Sequence, residues 1–179
     1  MNVIVHPLIK GALLLAALVV PQSAIAAATN ERLPIPDGQS LLLSAKGVGH
    51  QIYKSQLKSG STTEFEWVLK EPRAKLHDNS HKEIGKHYLG PTWEAEDGST
   101  VVGKLKQKVP APRAGDIPWL LVEATSHGGK EGFFSNVFYI LRIDTVGGIA
   151  PAYPPTELGQ EKQAPYESTY VFLVPASTK

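Results

Sequence analysis

The sequence predicts an all-β domain, an antiparallel sandwich or partly closed barrel of about eight to ten short strands. Three observations predict it. Apolar and polar residues alternate with period two through most of the chain after residue 38, the spacing of a half-buried strand. An Asp97-Gly98 pair separates two such runs, and Asp-Gly favours the positive φ angles of a tight hairpin. No window of a dozen residues keeps helical spacing, and Pro and Gly interrupt most helix candidates.

The chain begins with a different kind of segment. Lys10 precedes an unbroken small and aliphatic run from Gly11 to Val20, Pro21-Gln22 ends the run, and Ala24-Ile25-Ala26 follows. That order of basic start, apolar core and A-x-A site is a secretory signal. Its core is far shorter than the roughly 20 residues needed to span a bilayer. Residues 1–26 are therefore read as a cleaved signal peptide and the product as exported, periplasmic or extracellular, with no stable membrane span after cleavage. Residues 27–38 carry Pro34, Pro36, Asp37 and Gly38 and are read as an irregular lead-in. Residues 39–179 are read as one β domain.

Within that domain the strands come in order. Leu41–Ala45 and Val48–Leu57 open it. Glu64–Lys70 places Phe65, Trp67 and Leu69 on one face, with Glu64, Glu66 and Lys70 on the other. A short strand follows near His87–Tyr88, then Thr92–Glu96, the Asp97-Gly98 turn, and Ser99–Leu105. Ile117–Thr125 and Phe133–Ile143 are richer in apolar residues, as strands covered on both faces are. Ser126–Gly132 between them reads as a turn. Tyr166–Val174 alternates again. Pro110–Pro118 and Asp144–Pro165 read as long loops, a length that is uncommon without a role.

Composition excludes several classes of function. The 179 residues hold 18 Lys+Arg against 17 Asp+Glu, so no strong field exists for nucleic acid. There is no Cys, hence no disulfide framework, no Cys-based zinc site and no cysteine nucleophile. No Gly-x-Ser-x-Gly elbow occurs. No cofactor is implied.

Four words stand out: Gly47-Val48-Gly49-His50-Gln51-Ile52-Tyr53, Ile84–Glu94 with His87-Tyr88-x-Gly90-Pro91-Thr92-Trp93 at its centre, Ile117-Pro118-Trp119-Leu120-Leu121, and Arg142–Pro151. In this order the chain resembles, over about residues 33–172, a family of exported bacterial and fungal proteins classed as a domain of unknown function. Some fungal relatives carry the label malate dehydrogenase, which the residues reject. Hydride transfer from a dinucleotide needs a Gly-rich loop between a parallel strand and a helix, whereas Gly47-x-Gly49 lies between strand-like runs and has no third glycine. The resemblance also implies cysteines in many relatives where this chain has Ser55 and the Ala152–Pro155 stretch. If those pair, the strand Val48–Leu57 lies near the start of the 152–165 loop.

The candidate site residues follow from side-chain chemistry. His77, His81 and His87 are close in sequence and are weak candidates for a metal site, since His77-x-x-x-His81 spans turn residues rather than a helix. His87 reads either as an imidazole bonded to a backbone carbonyl near Gly90-Pro91 or as a general base in a pocket. Glu94 and Asp97 are its candidate catalytic partners. Tyr53, His87, Tyr88, Trp93 and Trp119 are candidate ligand-binding residues, because Tyr and Trp pair a flat apolar face with a polar tip. Core packing is the ordinary fate of any one of them. Three functions remain open: a non-enzymatic module for a small apolar or carbohydrate ligand, a His/carboxylate enzyme with or without a metal, and a purely structural envelope protein.

Overall fold

A computed structural model describes residues 33–176; residues 1–26, read above as a signal peptide, lie outside the described residues. Eight strands run β1 (Gln39–Leu57), β2 (Phe65–His77), β3 (Glu83–Tyr88), β4 (Thr92–Ala95), β5 (Ser99–Val109), β6 (Trp119–Gly129), β7 (Tyr139–Gly147) and β8 (Glu161–Pro175). Each pairs antiparallel with the next, and β8 returns to β1, so one sheet closes into an irregular barrel. The all-β expectation holds. Of the two architectures foreseen the ring is the one formed, and it is closed rather than partly open. Closure removes the unpaired edges an open sheet would carry.

Several element boundaries differ from the expectation, each for a physical reason. Leu41–Ala45 and Val48–Leu57 form one strand of 19 residues. Gly47, between the two expected strands, faces the interior, where a side chain would collide with the Tyr170 ring. Ser126–Gly129 continues β6, paired with Ser99–Val102 of β5, so the turn begins at Lys130. Phe133–Phe138 is turn rather than strand. Asp144–Gly147 belongs to β7 and Glu161–Pro165 to β8, which shortens the expected 144–165 loop to 148–160. Phe65, Trp67 and Leu69 share a face as expected, paired with Leu57, Ser55 and Tyr53, although Leu69 is 48% exposed. The β1–β2 ladder slips only beyond Leu69, between Ile52 and Tyr53, which offsets Ala74 and Leu76 from that alternation.

The interior is an aromatic column. Phe134 stacks on Phe172 at 4.6 Å, Phe172 meets the edge of Trp93 at 6.4 Å, and Trp93 meets Tyr170 at 5.8 Å. Ala45, Leu76, Val101, Val122 and Ile140 fill the space around them. Large rings fit an eight-stranded barrel only where the facing positions are small; Gly47 supplies that room opposite Tyr170, and Gly103 makes room for Val122 beside Trp93. Gly49 serves a different end, since a Cβ there would run into the Arg73 carbonyl and Ala74 Cα across the β1–β2 ladder. Backbone cannot swing aside as a side chain can. Gly49→Ala is expected to lose about 1–3 kcal/mol, read as a lower urea midpoint; an unchanged midpoint would show that the two strands are not so close.

A second cluster lies outside the barrel. Trp119, Leu121, Tyr139, Leu141, Ile143 and Leu173 form an outward apolar face, and Leu33 with Ile35 packs across it. This explains why β6 and β7 are apolar on both sides. Their second face is covered by the end of the lead-in segment rather than by another sheet.

Candidate functional site

The word His87-Tyr88-x-Gly90-Pro91-Thr92-Trp93 is the β3–β4 hairpin. Gly90 takes φ 95° at its tip, a conformation that favours glycine. The Thr92 hydroxyl donates to the Leu89 carbonyl at 2.9 Å, and His87 Nδ1 donates to the Thr92 carbonyl at 2.9 Å. His87 and Trp93 face each other across the hairpin, with their rings stacked at 4.4 Å and 11°. Tyr170 presents an edge to His87 at 5.1 Å. Burial, helped by the Arg142 charge, pushes the His87 imidazole down from 6.5 to about 3, while its bond to Thr92 acts the other way. The ring is therefore neutral at physiological pH, with a proton on Nδ1.

His87 meets neither of its expected catalytic partners. Lys86 pairs with Glu94, one position out of step with the His87–Trp93 pair, and a one-residue step reverses the face. Glu94 accordingly lies outside, where Tyr88 Oη donates to it at 2.9 Å and Lys86 approaches at 3.1 Å. The Tyr88 bond, then Lys86, hold its carboxyl below the usual range. Asp97 is engaged in a turn. Its Oδ1 accepts from Ser99 N and Oγ at 2.8 and 2.6 Å, and its Oδ2 accepts from Phe133 N at 2.7 Å. Those bonds, the Ser99 hydroxyl first, lower its pKa.

The aromatic set expected to bind ligand is also divided. Tyr53, His87 and Trp93 point inward, whereas Tyr88 lies on the outer face beside Glu94 and Trp119 packs in the outer cluster under Leu33. Trp93 is 1% exposed and Trp119 6%, so neither presents its ring to solvent. Strand parity separates them: Tyr88 follows His87 on β3 and takes the opposite face, whereas the side that Trp119 takes becomes definite only when the inward register of its strand is known. The three histidines do not converge either. His81 occupies the β2–β3 turn with φ 65°, His77 ends β2 and is partly exposed, and His87 is interior. Among the described residues no group of three His, Asp, Glu or Cys side chains could hold a metal ion.

Two features stand in place of the expected aromatic recess. The first is a recess of about 480 Å³ at one end of the barrel. Leu43, Ile84, Ala95 and Phe134 make its floor; Asp78, Lys82, Glu96 and Asp97 lie at its rim, and Phe133 forms its lip. Asp97 and Ser99 build this end. Ser99 Oγ accepts from Phe134 N at 3.0 Å while Asp97 holds Phe133 N, so Phe134 enters the barrel and Phe133 stays 54% exposed. Gly132 is needed there because any side chain would strike the Asp97 carboxylate. Asp78 caps the neighbouring turn by accepting from Ser80 and Lys82. Lys82 reaches Glu96 at 3.2 Å.

The second feature is polar and lies toward the other end of the interior. Arg142, Tyr166 and Tyr170 gather there with Tyr53, whose hydroxyl donates to the Gly148 carbonyl at 2.8 Å. The Tyr166 and Tyr170 hydroxyls are 3.0 Å apart. Sequence reasoning passed over Arg142. The available signal was a cation in step with Ile140 inside an otherwise apolar run, in one of the family-like words.

The strand around Ser55 lies against the 148–160 loop, but Ser55 itself bonds to Glu157, Gly159 and Gln160 rather than to the Ala152–Pro155 stretch. Ser55 Oγ donates to the Glu157 carbonyl at 2.6 Å and accepts from Gln160 N at 2.9 Å, while Trp67 Nε1 donates to the Tyr153 carbonyl at 2.9 Å. A serine thus ties strand to loop at a position where the resemblance implies a cysteine.

Fold and site together define a class: a closed, eight-stranded up-and-down β barrel with an aromatic interior and a shallow mouth. More particularly, the chain matches the family described as Protein of unknown function (DUF3455) over residues 36–174 and belongs to it. No curated protein and no solved structure matches the chain.

Proposed function

We propose that this domain is an exported, non-enzymatic binding module that takes a small carbohydrate or similarly hydroxylated ligand with an apolar face. The recess at the barrel mouth carries the reading. Its volume of about 480 Å³ lies within the common range for small-molecule sites. It also combines the two elements such a ligand needs. Phe133 offers an exposed ring on which the C–H face of a sugar can lie, and Asp78, Glu96 and Asp97 offer carboxylate oxygens to hydroxyl donors. The signal-like segment of residues 1–26 supports export, which N-terminal sequencing of the protein recovered outside the cytoplasm tests directly.

Binding is tested by calorimetric titration of the purified protein with a panel of neutral mono- and disaccharides. Saturable binding of at least one sugar is expected, with a loss of about tenfold or more in Phe133→Ala. Phe133 is more than half exposed, so that variant should keep its melting temperature. Equal affinity in both proteins, or no saturable response to any sugar, would defeat the reading.

A further inference from the structure

Arg142 is an interior cation with no carboxylate partner. It stands on β7 between Leu120 of β6 and Tyr170 of β8, in step with the inward Ile140. Its Nε and Nη2 donate to one acceptor, the Pro118 carbonyl, at 3.3 and 2.8 Å. None of the ion pairs among the described residues includes it. Its charge reaches Tyr53, His87, Tyr166 and Tyr170, none of which carries a negative charge near neutral pH. Holding a guanidinium partly out of water without an opposite charge is costly.

The groups around it are short of acceptors. Gln51 and Ser168 are 1% and 2% exposed; Gln51 Nε2 has no hydrogen-bond partner among the described residues, and Ser168 Oγ has none in good geometry, with only the Tyr170 hydroxyl beside it. Ser168 shares the inward face of β8 with Tyr166 and Tyr170, and Gln51 stands on the inward face of β1 between Gly49, the partner of Tyr166, and Tyr53. One Tyr hydroxyl proton is used in the Tyr166–Tyr170 contact, and the other remains to donate. A surplus of donors around one fixed positive charge is the complement of an oxyanion.

We propose that this end of the interior is a binding site for a small monocarboxylate, held by Arg142 and by the donors of Gln51, Ser168 and the Tyr166–Tyr170 pair. One guanidinium balances one negative charge, and its planar fork matches the two oxygens of a carboxylate. Arg142 and Tyr53 are only partly buried, so a carboxylate would enter on their side, where Ile117, packed against Tyr166 and close to Gly148, has to give way. The site is independent of the mouth recess, which lies at the opposite end of the strands.

The test titrates the purified protein with sodium acetate at constant ionic strength, with sodium chloride and sodium phosphate as parallel arms, followed by amide and arginine Nε–H NMR shifts. Saturable acetate shifts at residues 166–170 and at Arg142 are expected, and chloride should not reproduce them. Arg142→Gln should weaken acetate binding about tenfold or more. Ser168→Ala should weaken it several-fold while leaving the free protein as stable as before or more so, because it deletes a buried hydroxyl without a partner in good geometry. If Arg142→Gln does not fold, Ser168→Ala and Arg142→Lys carry the comparison, the latter keeping the charge and losing the fork. No saturable acetate response, unaltered binding in the variants, or a preference for phosphate would overturn the proposal.

Discussion

Replacing Trp93 by alanine is expected to destabilise the domain by about 3–5 kcal/mol, the largest loss predicted for any single residue here. The indole is 1% exposed and touches three rings of the interior column: His87, Tyr170 and Phe172. Nothing nearby can collapse into the space. Gly103, which has no side chain and lies against the indole edge, would be left facing a cavity. Part of the loss would come from the stacking partner, since His87 would keep its buried imidazole without the aromatic face beside it. Urea unfolding followed by far-ultraviolet circular dichroism measures the change, and near-ultraviolet dichroism should lose much of its tertiary signal. A loss below about 1 kcal/mol would mean that the column is not the core.

Acid should weaken the fold well before the carboxylates titrate, and His87 is the reason. Its folded pKa of about 3 lies below the ordinary 6.5, with burial as the main cause and the Arg142 charge as a lesser one. The unfolded chain therefore binds a proton that the folded chain refuses at every pH between those values. Stability from this residue is complete above about pH 6.5 and falls as pH drops toward 3, with a limiting slope of about 1.4 kcal/mol per pH unit. Glu94, Asp97 and Asp116 have lowered pKa values and add losses of the same sign, but only at more acid pH. Asp144, whose carboxyl pKa burial raises, contributes with the opposite sign, so it is the difference between wild type and a His87 variant from pH 6.5 to about 5 that isolates the histidine. His87→Gln keeps an amide donor for the Thr92 carbonyl and cannot take up the proton, so its stability should fall more gently than the wild type across that window. Parallel curves for the two proteins would show that His87 is not held neutral by the fold.

Much of the local structure was legible from residue order. The hairpin at Asp97-Gly98 and the strands beginning at Phe65, Thr92 and Ser99 follow from alternation and turn chemistry, which act over a few residues. Phe133–Phe138 was not legible, because its apolar composition suits a strand. What bends it is Asp97, thirty-six residues earlier, which captures the Phe133 amide and sends Phe134 into the barrel. The candidate site was legible in its parts and not in its assembly. His87 and Trp93 do face each other, as residues across a short hairpin can. Tyr88 does not join them because it follows His87 on the same strand and faces the other way, and Trp119 does not because the inward parity of its strand is set by pairing around the whole ring and by slips such as those within β5–β6.

By itself the sequence determined a Cys-free, nearly charge-balanced chain built from short alternating strands, with family-like words that belong to its tightest packing. Those features depend on neighbours along the chain. Only the tertiary structure decided that the sheet closes, that Leu33 and Ile35 cover the outer face of the most apolar strands, and that Arg142 points inward without a carboxylate. Each of those outcomes depends on which residues meet across strands far apart in sequence. A period-two pattern states that a strand has two faces, and only closure of the ring states which one is inside.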